Sequence, residues 1–216
     1  MTRLYKIAAA TFMAASLSIS ALNASAAEWK EGEHYQVLDT PVQTGSPDKI
    51  QITEIFWYGC PHCYHFKPFV EKWEEGLPED VEFVMLPAAL GKSWTTHARA
   101  FYTVEALGGD KKVHDALFDA LARDRKPLQT AEQLGAFLTD YGIDKDAFVK
   151  TFNSFGVNAR MQQAQSKVRG ARITGVPAML IDGKYKTSPA MAGGEEEAIE
   201  VVNFLIEKER ESRSAD

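Results

Sequence analysis

The sequence predicts an α/β protein, a sheet-and-helix core interrupted by a helical insertion, on three observations. The run KIQITEIFWY at 49–58 is rich in β-branched and aromatic residues; it reads as a buried strand and leads into a helical pattern and a second strand. Residues 92–170 then carry only helical periods. Strand character returns at 177–181, followed by a hairpin signal and a last helix.

Taken in order, the chain opens with Arg3 and Lys6, an apolar, small-residue run at 7–22, and Ala24-Ser25-Ala26. This is the pattern of a cleaved secretory signal peptide over 1–26. The run is too short and too rich in Ala and Ser for a transmembrane helix, and no other segment is apolar for long enough. After the strand come Gly59, Cys60 and Pro61. Proline suits the first turn of a helix, where its missing N–H is not needed. That helix is predicted over 61–75, with Phe66, Val70 and Trp73 on one face and a kink at Pro68. A second strand fits 81–86, closed by Pro87.

A helix over 95–107 ends at Gly108-Gly109, and Val113, Ala116, Leu117, Ala120 and Leu121 then mark one face of the next. Thr130 and Gln133 form a capping box for a helix that buries Leu134, Phe137, Leu138 and Tyr141, and Gly142 stops it. Phe148, Phe152, Val157, Met161, Ala164 and Val168 continue the helical spacing. Asp182-Gly183 is a hairpin turn signal before Tyr185. Glu195–Glu197 open a final helix that is expected to end near Lys208 and Arg210, with charges suited to its dipole at both ends. Ile199, Val202, Leu205 and Ile206 form its inner stripe. The division is therefore a core of 27–91 and 171–216 around an insertion of 92–170.

The 216 residues are 45% hydrophobic and 25% charged, a balance that argues against disorder. Removing residues 1–26 would leave 22 Lys+Arg against 30 Asp+Glu, so no basic face for nucleic acid is expected. The chain has two cysteines, Cys60 and Cys63, and an exported protein meets an oxidising compartment where cysteines commonly become staples. A staple works by restricting the unfolded chain in proportion to the loop it closes, and four residues restrict almost nothing. The pair calls for a chemical explanation.

A strand, a tight turn and Cys-x-x-Cys opening a helix form a specific redox signal. Cys60 would sit where unpaired N–H groups and the helix dipole favour negative charge, and His62 adds a donor and, when protonated, a cation. Cys60 is thus expected as a thiolate, with Cys63 one turn inside as the less exposed thiol. A stabilised thiolate favours the reduced protein, by about 1.4 kcal/mol or roughly 30 mV for each unit its pKa falls below ambient pH. The Cys60–Cys63 disulfide should therefore be oxidising. Zinc would need two further ligands, which His62 and His65 in the same turn cannot easily supply. A c-type haem would need histidine where Tyr64 stands. Neither a metal nor a cofactor is expected.

The segment FWYGCPHCYHFKP at 56–68 resembles the DsbA family of bacterial periplasmic disulfide oxidases. The likeness extends over essentially the whole chain after residue 26, through the Pro61-His62 dipeptide, a helical insertion of similar size and Gly175-Val176-Pro177. It implies a thioredoxin-like fold and donation of the disulfide to reduced exported proteins in the periplasm. It implies a monomer, with reoxidation by a quinone-linked membrane protein. It also implies that Pro177 is cis beside the cysteines and that Val176 offers backbone groups to an extended substrate peptide.

Glu54 can be read directly. It shares strand parity with Ile50, Ile52 and Phe56, which puts a carboxyl on an apolar face where its pKa should rise and where it could exchange a proton with Cys63. Members of the family similarly keep an acid six residues before the first cysteine, and many pair it with a lysine on the neighbouring strand. Here that strand, VEFVML at 81–86, has none, so a lysine-assisted relay is not expected. His34, His65, His97 and His114 have no partner spacing and are assigned to surface or satisfied positions. Trp57 and Tyr58 flank the motif, either lining a groove or packing in the strand. An isomerase or reductase on the same core is the nearest alternative. Only residues 28–49 precede the first strand, too few for the dimerisation domain that such isomerases typically resemble. A peptide-binding chaperone using the groove without redox turnover is the alternative of another class.

Overall fold

The computed structural model describes residues 29–215, so the signal-peptide expectation for 1–26 lies outside the described residues. The strands are β1 (Gln36–Val37), β2 (Ile50–Phe56), β3 (Val81–Pro87), β4 (Ala178–Ile181) and β5 (Tyr185–Thr187), in the spatial order β1-β5-β4-β2-β3. β2 and β3 run parallel with Ile50 opposite Val81, joined by helix α1 (Pro61–Glu74); every other neighbouring pair is antiparallel. β2 is buried along its whole length because it is central and covered on both faces.

Between β3 and β4 every regular element is helical: α2 (Lys92–Ala106), α3 (Lys111–Phe118), α4 (Ala131–Leu138), α5 (Lys145–Phe152) and α6 (Phe155–Gly170). A π turn at Asp119–Arg123 extends α3 and a 3₁₀ turn at Thr139–Tyr141 extends α4. After β5 come the short α7 (Pro189–Ala192) and the long α8 (Glu195–Ala215). Two apolar clusters follow from strand alternation. Ile50, Ile52, Met179 and Ile181 face α1 and α8, meeting Phe66, Val70, Val202 and Leu205. Ile55 and Leu180 face the inserted helices, meeting the cluster of Phe101, Leu117 and Phe118.

Local signals explain most boundaries. Thr130 accepts from the Gln133 N–H while the Gln133 side chain accepts from the Thr130 N–H, the reciprocal cap that the spacing predicts. Asp182 and Gly183 both have positive φ, and the Lys184 N–H donates to the Ile181 carbonyl at 2.9 Å, closing the hairpin. A Cβ at Gly183 would lie 1.9 Å from the Val42 carbonyl oxygen, so glycine is required there.

Two expectations are corrected. Tyr141 is 42% exposed, because the helix tightens into a 3₁₀ turn before the left-handed Gly142 and rotates that ring off the buried face. The last helix does not end near Lys208 and Arg210; those charges pair sideways, Lys208 with Tyr35 and Arg210 with Asp80. It runs on because Glu209 is fully buried and bonded to Lys184, and Arg213 reaches Asp182 at 2.9 Å, tying the last turns to the hairpin. Its buried stripe includes Ala198 and Val201, while Ile199 is half-buried.

Candidate active site

Cys60 is the N-cap of α1, in extended conformation, and Pro61 occupies the first helical position. The turn that presents it is tight: the Cys60 N–H donates to the Trp57 carbonyl at 2.9 Å, and the Trp57 ring lies over Gly59, where a Cβ would meet it at 2.4 Å. Trp57 is fixed in turn. It stacks on Trp94 with centroids 4.4 Å apart, and its indole N–H donates to His97 Nδ1 at 2.9 Å. His97 then donates from Nε2 to the Leu128 carbonyl, and burial holds its pKa below the usual value. His97 is thus a buried, satisfied histidine whose work is to set the turn before Cys60.

Tyr58 packs in the core rather than in a groove: it is buried between Phe56 and Phe118, and its hydroxyl bonds His114 Nδ1. The alternative left open for Trp57 resolves partly; it is half-buried and locked by Trp94.

The two thiols are unbonded, and their environments differ strongly. The Cys63 N–H points at the Cys60 sulfur at 3.4 Å. That bond, a donated hydrogen bond from the Cys63 thiol, the His62 N–H and the His62 charge draw Cys60 down to about 6, the Cys63 thiol contributing most and burial opposing them. Cys63 is fully buried, and desolvation first, then the Cys60 thiolate and Glu54, push it well above its ordinary value. One sulfur is held charged and the other held as the thiol.

His62 is exposed at the mouth of the site, and its charge ranks last among the causes that lower Cys60. Replacing His62 by leucine, which keeps the backbone N–H, is therefore expected to raise the Cys60 pKa by less than about one unit. Titration of the thiolate by its ultraviolet absorbance checks this; no change at all would remove His62 from thiolate stabilisation.

Across from Cys60, the Val176–Pro177 peptide is cis, and the Val176 carbonyl oxygen lies 3.7 Å from Cys60 Sγ. Val176, Pro177 and His62 line a cleft of about 590 Å3 together with the Thr187–Met191 stretch. Val176 and Pro177 are marked by the sequence pattern, whereas the Thr187–Met191 contribution to the cleft is not among the expected site residues. Ser188, which caps α7, and Pro189 at its start were the available signal.

Glu54 lies beneath α1, 3% exposed, opposite Met85 of β3 and Met179 of β4. Desolvation raises its pKa to about 8, and repulsion from Glu71, Glu74 and the Cys60 thiolate adds to the rise, while Lys67 opposes it. The neighbouring strand β3 carries no lysine, and helix α1 brings Lys67 to the cavity that Glu54 lines.

A dithiol at the N-terminus of the helix after a central strand, facing a cis-proline loop on a mixed sheet, defines a thiol:disulfide oxidoreductase with a thioredoxin-like fold. The sequence model of the "DSBA-like thioredoxin domain" family matches residues 51–198, and the chain belongs to that family. It is similar to the thiol:disulfide interchange protein DsbA of Azotobacter vinelandii, 44% identical over 198 residues covering 92% of each chain. It is 42% identical to the protein of the same name from Pseudomonas aeruginosa, over 93% of this chain and 95% of that one. The crystal structure of Pseudomonas aeruginosa DsbA superposes with a TM-score of 0.83, over 86% of this chain and 97% of its own.

Proposed function

We propose that this chain is an exported, periplasmic dithiol oxidase that donates its Cys60–Cys63 disulfide to reduced exported proteins. The observation that carries the reading is the division of charge between the two sulfurs, Cys60 lowered to about 6 and Cys63 held as a thiol. A substrate thiolate attacks Cys60 Sγ and breaks the Cys60–Cys63 bond; the electron pair goes to Cys63, which takes a proton supplied by Glu54. The substrate's second thiolate then attacks the substrate sulfur of the mixed disulfide. The Cys60 thiolate leaves, the substrate is oxidised, and the protein holds both electrons.

Cys60 is a good leaving group for the reason that makes it acidic. Pro61 starts the helix whose N-terminus carries that charge, and His62 adds to it. Val176 and Pro177 form the edge on which an extended substrate segment lies, in the cleft of about 590 Å3 beside Cys60. Residues 92–170 act as an inserted helical unit on a core of 27–91 and 171–216. A monomer suffices for each step, and a quinone-linked membrane protein whose own cysteines enter the same cleft restores the disulfide.

Equilibration of the protein from residue 27 onward against a glutathione series, read by tryptophan fluorescence, tests the direction. With Cys60 about one unit more acidic than the attacking thiol of thioredoxin, the potential is expected about 20–30 mV above thioredoxin's, which is about −270 mV. A potential at or below thioredoxin's would make the protein a reductase.

A further inference from the structure

We propose that Lys67 is the positioning cation of the buried acid Glu54, supplied from α1 and held by Asp115 of α3. The inference rests on the reading of Glu54 as the proton partner of Cys63. On α1, Cys63, Lys67, Val70, Glu71 and Glu74 follow the i, i+4, i+7, i+8, i+11 stripe of one helical face. Lys67, Val70, Glu71 and Glu74 accordingly line one cavity of about 420 Å3 with Glu54 at its wall. The flanking strands offer Glu54 no charge, since Met85 and Met179 are its register partners.

Lys67 is not a free surface lysine. Its Nζ lies 2.7 Å from Glu71 on its own helix and 2.8 Å from Asp115 on α3, and Lys111 at the start of α3 pairs with the same two acids. Two lysines and two acids thus clamp α1 to α3 across the cavity mouth. The remaining charged or titratable groups on its lining are Glu74 of α1, Asp110 and His114 at α3, Glu105 of α2 and Arg160 of α6. His114 and Arg160 are both engaged by Glu105, at 3.3 and 3.7 Å. Helix α8, which packs on α1 and β4, contributes no residue to this cavity. Among the cations around the cavity, Lys67 counters the repulsion of Glu54 by Glu71 and Glu74.

The consequence is chemical. When Cys63 attacks a mixed disulfide at Cys60, its S–H bond breaks and the proton passes to a Glu54 carboxylate oxygen; the sulfur uses the electron pair it keeps to bond Cys60 Sγ, the bond from Cys60 to the partner sulfur breaks, and that pair leaves on the partner thiolate. Glu54 can accept only when ionised. Lys67 increases the fraction of Glu54 in that form at working pH by opposing the rise in its pKa, and the inserted helices share in the chemistry by holding Lys67 through Asp115.

The test uses dithiobis(nitrobenzoate) on the reduced protein. Cys60 releases the first thionitrobenzoate, and attack by Cys63 on the resulting mixed disulfide releases the second. The rate of the second release is followed against pH in the wild type, Lys67→Met, Lys67→Arg and Glu54→Gln. In Lys67→Met the midpoint is expected to move up by about one pH unit, so that the second release at pH 7 slows about tenfold. Lys67→Arg should restore the wild-type profile, and the first release should not change. An unmoved midpoint in Lys67→Met, with the dependence lost in Glu54→Gln, would overturn the role of Lys67 and leave Glu54 standing. A shift that Lys67→Arg does not restore would also overturn it, since charge would not be the cause. A wild-type profile retained in Glu54→Gln would remove both.

Discussion

Between pH 5.5 and pH 8.5 the stability of the reduced protein is expected to rise by about 2–3 kcal/mol relative to the oxidised protein. The sign follows from Cys60. Its folded pKa is about 6, below the ordinary thiol value of about 8.5 that the unfolded chain shows. In that window the folded protein has released a proton that the unfolded chain still holds, so stability grows as pH rises through about 6 and is lost as pH falls through it. The oxidised form has no thiol to titrate. The disulfide contributes its own loop term, but a four-residue loop gives a small offset that does not vary with pH. Above about pH 8.5 the trend reverses in part, because unfolded Cys63 ionises while folded Cys63 keeps its proton. Denaturant titrations of both forms at a series of pH values measure the difference; a constant difference across pH 5.5–8.5 would mean that Cys60 is not a stabilised thiolate.

The second large effect is expected at Glu54. Its folded pKa is about 8, above the ordinary glutamate value of about 4.3, so the sign is opposite. From about pH 4.3 to about pH 8 the unfolded chain has lost a proton that the folded protein keeps, and stability falls with rising pH. Over that span the cost reaches about 4–5 kcal/mol, and Glu54→Gln removes it. The variant should match the wild type at pH 4 and exceed it by about that amount at pH 8.5. The gain should be somewhat greater in the reduced form, where the Cys60 thiolate adds repulsion. An equal difference at both pH values would contradict a buried, ionisable Glu54. A protein that keeps such an acid beneath α1 gives up stability to hold an ionisable group in its core.

The parts legible from the sequence are those set by local rules. Strand alternation puts Glu54 on the apolar face, and it is buried there. Proline after Cys60 starts a helix, and Cys60 caps it with a Cys63 N–H on its sulfur. The Thr130–Gln133 box and the Asp182-Gly183 turn also act within a few residues, so each is readable from its own segment.

Long-range packing decided the rest. Nothing near Tyr58 in sequence says that it points into the core, because its partners Phe118 and His114 arrive from α3, more than fifty residues on. The turn before Cys60 is braced by Trp94 and His97 of α2, and the lining of the cleft includes Ser188 and Pro189. The helix after Lys208 continues because a hairpin supplies partners for Glu209 and Arg213. Most clearly, the neighbouring strand carries no cation for Glu54, whereas α1 brings Lys67 to the cavity that Glu54 lines. Local pattern is enough for the Cys60–Cys63 pair, the helix start that charges Cys60 and the burial of one acid, since periodicity and capping are properties of short segments. Which cation shares a cavity with that acid and which residues line the cleft beside Val176 and Pro177 were decided only in three dimensions, because electrostatic and packing partners depend on distance through space and carry no fixed spacing along the chain.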